Sequence, residues 1–310
     1  MKFMGYSDKA NDLTVSSAGP VVFVTFSMLK TARQDSSLTK KMSASNTKFD
    51  RIRSLFSGKH VLIAFSGGVD STVLAHIAKE SAARSKLLTI DSITFPRTEL
   101  KAAENVAEEL GIELKIIQVD ELSNEDLVKN PVDRCYHCKK ELASVWLSTA
   151  KELNMDIVVD GTNASEMQGH RPGAKALEEA GVVSPFRDAG ITKEEIRSYA
   201  RAAGLSVADK PSMACLSSRF PYGTEITEDR VRKIDRVEKE VKELFGIQCV
   251  RARFHGDLVR IEVGREEREK LFDESKLDDL HKLAKAAGFK YVTIDAFGYR
   301  TGAMNEVLES

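Results

Sequence analysis

A short apolar run at residues 61–65 leads directly into the sequence Ser66-Gly67-Gly68-Val69-Asp70-Ser71. A continuous run of this kind is typical of a strand buried on both faces of a parallel sheet. Helical periodicity follows, with Val73, Leu74 and Ile77 on one face. The two glycines let the backbone turn sharply between strand and helix, which is where ligands bind in an open parallel sheet. The sequence therefore predicts an α/β fold with a ligand site at the carboxyl end of this strand.

Strands and helices continue to alternate as far as residue 160. Further strands are predicted at residues 87–93, 114–119 and 156–160, with helices at residues 99–110 and 138–153 between them. Strands separated by helices of this length predict right-handed crossovers. We therefore expect a doubly wound parallel sheet.

The pattern changes after Pro211. Ile226 and Val231 are spaced as a hydrophobic staple around Thr227, which predicts the start of a charged helix that ends at Phe245. Beyond this helix we expect strands at residues 248–254, 258–263 and 291–296 and a helix at residues 277–287. This mixture predicts a smaller C-terminal α+β domain.

These patterns divide the chain into three segments. Residues 1–45 are rich in Ser, Thr and Asp without helical periodicity, and we expect a disordered extension in which Met42 is a candidate start of the folded chain. Residues 46–210 are predicted to form the domain with the parallel sheet. Residues 211–310 are predicted to form the α+β domain.

Composition excludes several classes of protein. Lys and Arg (46) nearly balance Asp and Glu (47), so no net charge favours a nucleic-acid partner. No apolar run reaches the roughly 18 to 20 residues of a membrane span, and the best candidate, residues 21–29, is followed by Lys30 and Arg33 rather than by a signal-peptide cleavage pattern. Four cysteines are too few for a secreted disulfide framework. We expect a reducing, cytoplasmic compartment and no membrane or nucleic-acid partner.

The glycine loop has the residue types that hold a phosphate. Gly67 and Gly68 allow close approach of the backbone, and amide groups at the start of the next helix hold anions. The predicted nucleotide-binding residues are Ser66, Gly67, Gly68, Asp70, Ser71 and Thr72. The serine and threonine residues supply hydroxyl donors, and Asp70 can orient a lysine or a magnesium ion. A tight turn of small residues is the competing interpretation, which Asp70 and Ser71 disfavour.

No Gly-Lys-Ser/Thr follows the loop at the spacing of a Walker A motif. Residues 58–165 instead resemble the PP-loop ATP pyrophosphatases, which include GMP synthetases, NAD synthetases and tRNA thiolases. The resemblance implies that residues 46–210 bind ATP with Mg²⁺ and split it between the α and β phosphates. It also implies that an oxygen of the substrate becomes an AMP ester, which a nitrogen or sulfur nucleophile displaces.

Three cysteines are candidates for that nucleophile. Cys135 and Cys138 lie one helical turn apart, and Lys139 and Lys140 beside them are expected to favour the thiolate forms. Cys215 lies among polar and turn residues. The fourth cysteine, Cys249, lies in a predicted strand and is interpreted as core packing.

Cys135, Cys138 and Cys215 are a possible ligand set for a [4Fe-4S] cluster with one open iron. Zinc is the rival metal, although His137 would have to supply a fourth ligand from an awkward position between two cysteines. Independent or redox-paired thiols are the remaining alternative.

Longer motifs give a narrower resemblance. Residues 210–223 around Cys215 resemble the LarE-type enzymes, the pyridinium-3,5-bisthiocarboxylic acid mononucleotide synthases. The other matching motifs are residues 160–163, 171–173, 184–186 and 298–302. Together they span about residues 50–306. One departure is that Ala164-Ser165-Glu166 keeps a single acidic residue where the family often has more.

The resemblance implies a sulfurtransferase in nickel-pincer cofactor biosynthesis. ATP would adenylate a carboxylate of a pyridinium mononucleotide, and sulfur would then displace AMP. Members with a single cysteine, matching Cys215, donate its own sulfur and are left with dehydroalanine. Members with two more, matching Cys135 and Cys138, are associated with a [4Fe-4S] cluster that carries sulfide. This sequence has the second pattern, and the resemblance also implies a homohexamer; the sulfide donor stays unknown.

Candidate substrate residues lie in the C-terminal domain. Arg251 and Arg253 alternate along a predicted strand, so their side chains leave the same face and can grip a phosphate. They match the family's substrate-phosphate arginines, and Glu238, Glu262 and Arg300 match other site positions by resemblance. The alternative for each is a solvated surface ion pair.

Two other functions compete with this one. A tRNA thiolase can also combine a PP-loop with three cysteines and a cluster, but the balanced charge and the lack of an RNA-binding appendage disfavour it. A nucleotide-binding regulator would keep the loop without a reactive thiol, which the three cysteines disfavour.

Overall fold

A four-stranded parallel sheet forms the first layer. Its strands are β1 (His60–Ala64), β2 (Arg84–Asp91), β3 (Leu114–Gln118) and β4 (Ile157–Val159). They lie in the order β3-β2-β1-β4, and each neighbouring pair is parallel. All four predicted strands are confirmed, with small shifts at their ends.

The computed structural model describes residues 47–167, 171–300 and 302–303. The predicted extension with Met42, and Thr301 in one of the matching motifs, lie outside these residues. No helix within the described ranges is long and apolar enough to cross a lipid bilayer.

Helices cover both faces of the parallel sheet. Those of at least eight residues are α1 (residues 47–56), α2 (Val69–Ser81), α3 (Arg97–Leu110), α5 (Arg134–Glu152), α6 (Pro172–Glu179) and α8 (Lys193–Ala202), and the short ones are α4 (Glu125–Val128) and α7 (Pro185–Asp188). Ile63 of β1 packs with Leu74 of α2 on one face, whereas its neighbour Leu62 packs with Trp146 of α5 on the other. Successive strand residues point to opposite faces, so the doubly wound fold is confirmed.

A second, smaller sheet lies in the C-terminal part. Its strands are β5 (Val250–His255), β6 (Leu258–Val263) and β7 (Tyr291–Ile294), in that order, with β5 antiparallel and β7 parallel to β6. Helices α9 (Glu228–Phe245) and α10 (Glu274–Ala286) pack with it around a separate apolar core. The α+β character is confirmed. The boundary at residues 210–211 stays a prediction, because the described residues belong to one compact unit.

Helix α9 begins as its sequence predicts. The Thr227 hydroxyl accepts a hydrogen bond from the Arg230 amide, and Ile226 and Val231 are both buried on either side of it. The cap satisfies a free amide of the first turn, while the two apolar side chains fix the direction in which the chain enters the helix.

Helices α6, α7 and α8 were not predicted. Helix α8 carries a capping box in which the Thr192 hydroxyl accepts from the Glu195 amide and the Glu195 carboxylate accepts from the Thr192 amide. After α8, residues 210–215 form neither helix nor strand before a 3-10 helix at Leu216–Arg219. This irregular stretch connects the part of the chain with the parallel sheet to the part with the C-terminal sheet, and it contains Cys215.

The buried face of β1 makes a testable contribution to stability. Ile63 is fully buried, whereas Ile116 of β3 in the same sheet is 37% exposed. We expect Ile63→Ala to lower the free energy of unfolding by about 2–5 kcal/mol, because it leaves a cavity in the core. The matched Ile116→Ala change should cost about 1 kcal/mol or less. Urea unfolding measures both, and equal losses would contradict the assigned faces of the sheet.

Candidate active site

The glycine loop connects the carboxyl end of β1 to α2. Gly67 has a positive φ of 67°, and a Cβ atom there would lie 2.7 Å from the Cα atom of Ala103 in α3. Both features exclude a side chain. Gly68 is the N-cap residue of α2, so the first amide groups of this helix belong to the loop.

Hydroxyl groups complete the loop. The Ser71 hydroxyl donates to the Gly68 carbonyl at 3.2 Å and accepts from the Ser66 amide at 3.3 Å. Thr72 is buried, and its hydroxyl has no hydrogen-bond partner within the described structure. Loops with this arrangement of amides and hydroxyls bind phosphate.

Asp70 at the start of α2 is held by two other elements. Its carboxylate forms an ion pair with Lys193 in the first turn of α8 and accepts a hydrogen bond from the Asn163 amide nitrogen at 3.1 Å. Asn163 also donates to Glu166 at 2.9 Å. Burial raises the pKa of Glu166, and the charge of Asp70 adds to that shift. Glu166, the one acidic residue kept after Asn163, is therefore part of this site.

One cavity of about 400 Å³ joins the loop to the cysteines. Its wall includes Ser66, Asp70 and Ser71 from the nucleotide loop. The same wall includes Cys135, Cys138 and Cys215. Residues that are more than 140 positions apart thus face one space, and a nucleotide bound at the loop would share that space with three thiols.

The cysteines reach this cavity from two elements. Cys135 and Cys138 lie in the first two turns of α5, and Cys215 directly precedes the 3-10 helix. All are free thiols, and Cys135 is exposed toward the cavity while Cys138 and Cys215 are half-buried. Cys249 is buried just before β5 and is not part of the cavity wall, as expected for core packing.

Lys139 favours the thiolate forms of the α5 cysteines as expected, but burial outweighs its effect. Burial raises the pKa of Cys135, and the Cys215 thiol nearby adds to that shift. The pKa of Cys138 is raised well above its usual value, first by burial and then by the charge of Glu121. Lys139 acts in the opposite direction on both, but its ammonium lies 5.1 Å from the centre of the Trp146 ring and does not overcome burial.

A zinc site with His137 finds no support. The His137 ring nitrogens face the carboxylates of Asp126 at 3.6 Å and Asp133 at 3.3 Å, and the residue is not part of the cavity wall. In the part of the chain that the structure describes, no three His, Cys, Asp or Glu side chains are grouped to hold a metal ion.

Glu121 is a buried carboxylate of the cavity that sequence reasoning missed. It accepts a hydrogen bond from the Thr94 hydroxyl, and the Cys138 thiol donates to it at 3.5 Å. Glu121 follows β3 and Thr94 follows β2, so both lie at the carboxyl edge of the sheet. Nothing in the local sequence separates this glutamate from the surface carboxylates around it.

The C-terminal candidates form buried ion pairs. The carboxylate of Glu238 accepts two hydrogen bonds from Arg219 at 2.7 and 2.9 Å, and Glu262 accepts from Arg253 at 2.7 Å. All four side chains are at least 94% buried. The alternative of solvated surface pairs is therefore wrong for Glu238, Glu262 and Arg253.

Arg251 and Arg300 differ from these pairs. Arg251 is buried, donates to the carbonyls of Val250 and Ser212, and leaves its Nε group without a partner in the described structure. With Arg219 and Glu238 it lines a second cavity of about 120 Å³. The Arg300 guanidinium lies 4.8 Å from the centre of the Phe297 ring.

Two lysines near the nucleotide loop were also missed. Lys193 reaches Asp70, and Lys210 donates to the Gly67 carbonyl at 3.1 Å and pairs with Glu99 of α3 at 2.7 Å. The Thr-x-x-Glu pattern at Thr192 could have predicted the helix that carries Lys193. No sequence signal places either lysine beside a loop more than 120 residues away.

The chain is similar to several known proteins. Residues 60–149 match the family model of the queuosine biosynthesis protein QueC. The chain is 34% identical over 253 residues to the pyridinium-3,5-bisthiocarboxylic acid mononucleotide synthase of Lactiplantibacillus plantarum, a match that covers 81% of this chain and 90% of that protein. It is 36% identical to an uncharacterized protein of Synechocystis, over 84% of this chain and 98% of that one. A Methanocaldococcus jannaschii protein is 30% identical over 81% of this chain and 95% of its own length.

The parallel sheet, the loop after β1 and the QueC match define an enzyme of the PP-loop ATP pyrophosphatase class. The three relatives match 81–84% of this chain, far more than the QueC match at residues 60–149, and so identify the family within this class. The chain belongs to the LarE-type family of PP-loop sulfurtransferases.

The close approach at Gly67 generates a prediction for the loop. We expect Gly58→Ala to cost about 1–2 kcal/mol, because Gly58 has a positive φ of 73° but no atom near its missing Cβ. Gly67→Ala should lower the free energy of unfolding by about 1–3 kcal/mol more than Gly58→Ala does, because its new Cβ atom overlaps Ala103 and overpacking has a cost of this size. Thermal unfolding measures this difference, and ATP titration should show weaker binding in Gly67→Ala alone. Equal ATP affinity in both variants would contradict a nucleotide role for the loop.

Proposed function

We propose that this enzyme transfers sulfur to the carboxylates of pyridinium-3,5-biscarboxylic acid mononucleotide, in nickel-pincer nucleotide cofactor biosynthesis. The observation that carries this function is the single cavity whose wall contains both the nucleotide loop and three cysteines. The product named for the Lactiplantibacillus plantarum relative supports the choice of substrate. An enzyme that activates a carboxylate and then adds sulfur needs both groups within one space.

The first step proposed is adenylation by ATP. A carboxylate oxygen of the substrate attacks the α phosphorus, pyrophosphate leaves, and an acyl adenylate forms. The amides at the start of α2 and the cavity-facing hydroxyls of Ser66 and Ser71 would hold the phosphates, together with the buried Thr72 hydroxyl, which has no partner in the described structure. Mg²⁺ would accompany the nucleotide, with Asp70 as the carboxylate of the loop.

The second step proposed is attack by sulfur on the acyl carbon, which releases AMP. Cys135, Cys138 and Cys215 are proposed to hold a [4Fe-4S] cluster, which the presence of three thiols around one cavity supports. Such a cluster would supply the sulfide, and the enzyme would then not be consumed. Sacrifice of the Cys215 sulfur is the alternative.

Substrate contacts are proposed for the C-terminal residues. The unpartnered Nε group of buried Arg251 supports an anionic ligand there. For Arg253, Glu238 and Glu262 we propose an indirect role, since each is already paired and fixes the surroundings of Cys215. Arg300 is proposed to contact substrate by its match to the family alone.

We also propose a cytoplasmic homo-oligomer, for which the family resemblance implies a hexamer. The four free cysteines support a reducing compartment. Large exposed aromatic side chains, those of Phe272, Tyr291 and Phe297, support self-association because burial of apolar surface is favourable. Light scattering of the purified protein measures its mass directly.

Product analysis tests the function. Anaerobically purified protein is incubated with ATP, inorganic sulfide and the pyridinium biscarboxylate mononucleotide, and products are identified by mass spectrometry. We expect AMP, pyrophosphate and a thiocarboxylate. Cys215→Ala should lose at least about 99% of sulfur transfer while it still binds ATP, since it removes a group that acts in the reaction.

Cys249→Ala is the matched control and should retain transfer, because Cys249 is not part of the cavity wall. Transfer by Cys215→Ala would show that another residue carries the sulfur. A wild-type protein that loses the mass of one hydrogen sulfide per turnover would establish the sacrificial route. Absence of AMP and thiocarboxylate from wild-type reactions would favour a tRNA thiolase instead.

Iron content tests the cluster separately. Anaerobic wild-type protein should be brown, with broad visible absorbance and close to four irons per chain. Cys135→Ala and Cys138→Ala should each lose most of this absorbance, whereas Cys249→Ala should keep it. A colourless wild-type protein that still transfers sulfur would rule the cluster out.

A further inference from the structure

Residues 208–215, the connecting segment, run from the end of the first layer to Cys215. Their carbonyl groups are held by guanidinium groups from three different elements. Arg197 of α8 donates to the carbonyls of Ala208 at 2.5 Å and Lys210 at 2.7 Å. Backbone carbonyls without helix or strand partners need such donors, so these arginines define the path of the segment.

The other two arginines come from the C-terminal part. Arg251 of β5 donates to the Ser212 carbonyl at 2.5 Å. Arg219 donates to the carbonyls of Ala214 at 3.0 Å and Cys215 at 3.1 Å. Arg197 is therefore the one guanidinium among these three that ties the connecting segment to the domain with the nucleotide loop.

Helix α8 also supports the nucleotide loop itself. Lys193 and Arg197 are four residues apart, so they lie on the same face of the helix. Lys193 pairs with Asp70 of the loop, and Arg197 holds the segment that leads to Cys215. One helix thus contacts both the nucleotide loop and the segment that leads to Cys215.

We propose that Arg197 is a positioning residue that places Cys215 against the adenylate formed at the nucleotide loop. This role rests on the proposed function. Arg197 is not part of the wall of the cavity shared by the nucleotide loop and Cys215, and it acts through the backbone at Ala208 and Lys210. Lys210 keeps its own side-chain contacts to Gly67 and Glu99, so loss of Arg197 leaves the loop supported.

The chemistry makes this role measurable. In sulfur transfer a C–S bond forms, the bond from the acyl carbon to the AMP oxygen breaks, AMP leaves with the electron pair, and the sulfur proton passes to solvent. When sulfur is misplaced, water attacks the same carbon, AMP leaves, and the original carboxylate returns. ATP is then consumed without product, so the ratio of thiocarboxylate to AMP reports the position of the sulfur.

The test compares Arg197→Met with Arg201→Met in anaerobic reactions with ATP, inorganic sulfide and the pyridinium biscarboxylate mononucleotide. Arg201 lies one turn further along α8 and binds the same segment through the Asp209 side chain at 2.8 Å, where both groups are exposed. We expect Arg197→Met to lower the thiocarboxylate to AMP ratio by about 10- to 100-fold, the effect of a displacement near 1 Å. Arg201→Met should keep the wild-type ratio, and Arg197→Lys, which reaches one carbonyl rather than two, should lie between.

A second measurement needs no substrate. Iodoacetamide should modify Cys215 several-fold faster in Arg197→Met than in wild type, because the released segment exposes the thiol, while Arg201→Met should keep the wild-type rate. A parallel loss of AMP and thiocarboxylate with an unchanged ratio would overturn the positioning role. So would equal Cys215 alkylation rates. Wild-type protein that forms no AMP refutes the proposed function, and the alkylation rates then still decide whether Arg197 places Cys215.

Discussion

The backbone carbonyls of the segment that leads to Cys215 have no partners in a helix or strand, which constrains how this cysteine can be placed. Residues 210–215 form neither helix nor strand, yet Cys215 has to face the same cavity as the nucleotide loop. Arg219 and Arg251, both at least 95% buried, and the half-buried Arg197 supply the donors that a helix or sheet would otherwise provide. The position of Cys215 thus depends on side chains from the part of the chain with the parallel sheet and from the C-terminal part.

A buried guanidinium group loses its hydration and needs a carboxylate partner to offset that cost. Arg219 is paired with Glu238 of α9, and Arg253 of β5 with Glu262 of β6. Removal of one partner from such a pair costs about 3–5 kcal/mol, because a buried charge is left alone. Glu238 also accepts from the Ala252 amide at 2.8 Å and so connects α9, β5 and the 3-10 helix after Cys215. Through Arg219, the C-terminal part of the chain thus supports the segment that contains Cys215.

The first layer could be predicted from sequence because its signals are local. Continuous apolar runs indicated the strands, and the glycine loop indicated the site at the end of β1. Helix α8 was missed although its capping box is visible at Thr192. Contacts between residues far apart in the sequence, such as Lys193 with Asp70 or Arg197 with Lys210, leave no local pattern. The sequence therefore could not predict these contacts, and only the structure showed them. Burial of Arg253, Glu238 and Glu262 was hidden for the same reason, since charged residues in a sequence give no sign of their partners.

The pKa values of the α5 thiols depend more on burial than on the residues next to them in the sequence. Lys139 next to Cys138 favours a thiolate, but removal of the thiol from water outweighs that nearby charge and raises the pKa of both α5 cysteines. The two thiols face the same cavity as Cys215, so their surroundings there, rather than the adjacent lysine, determine how readily they ionise.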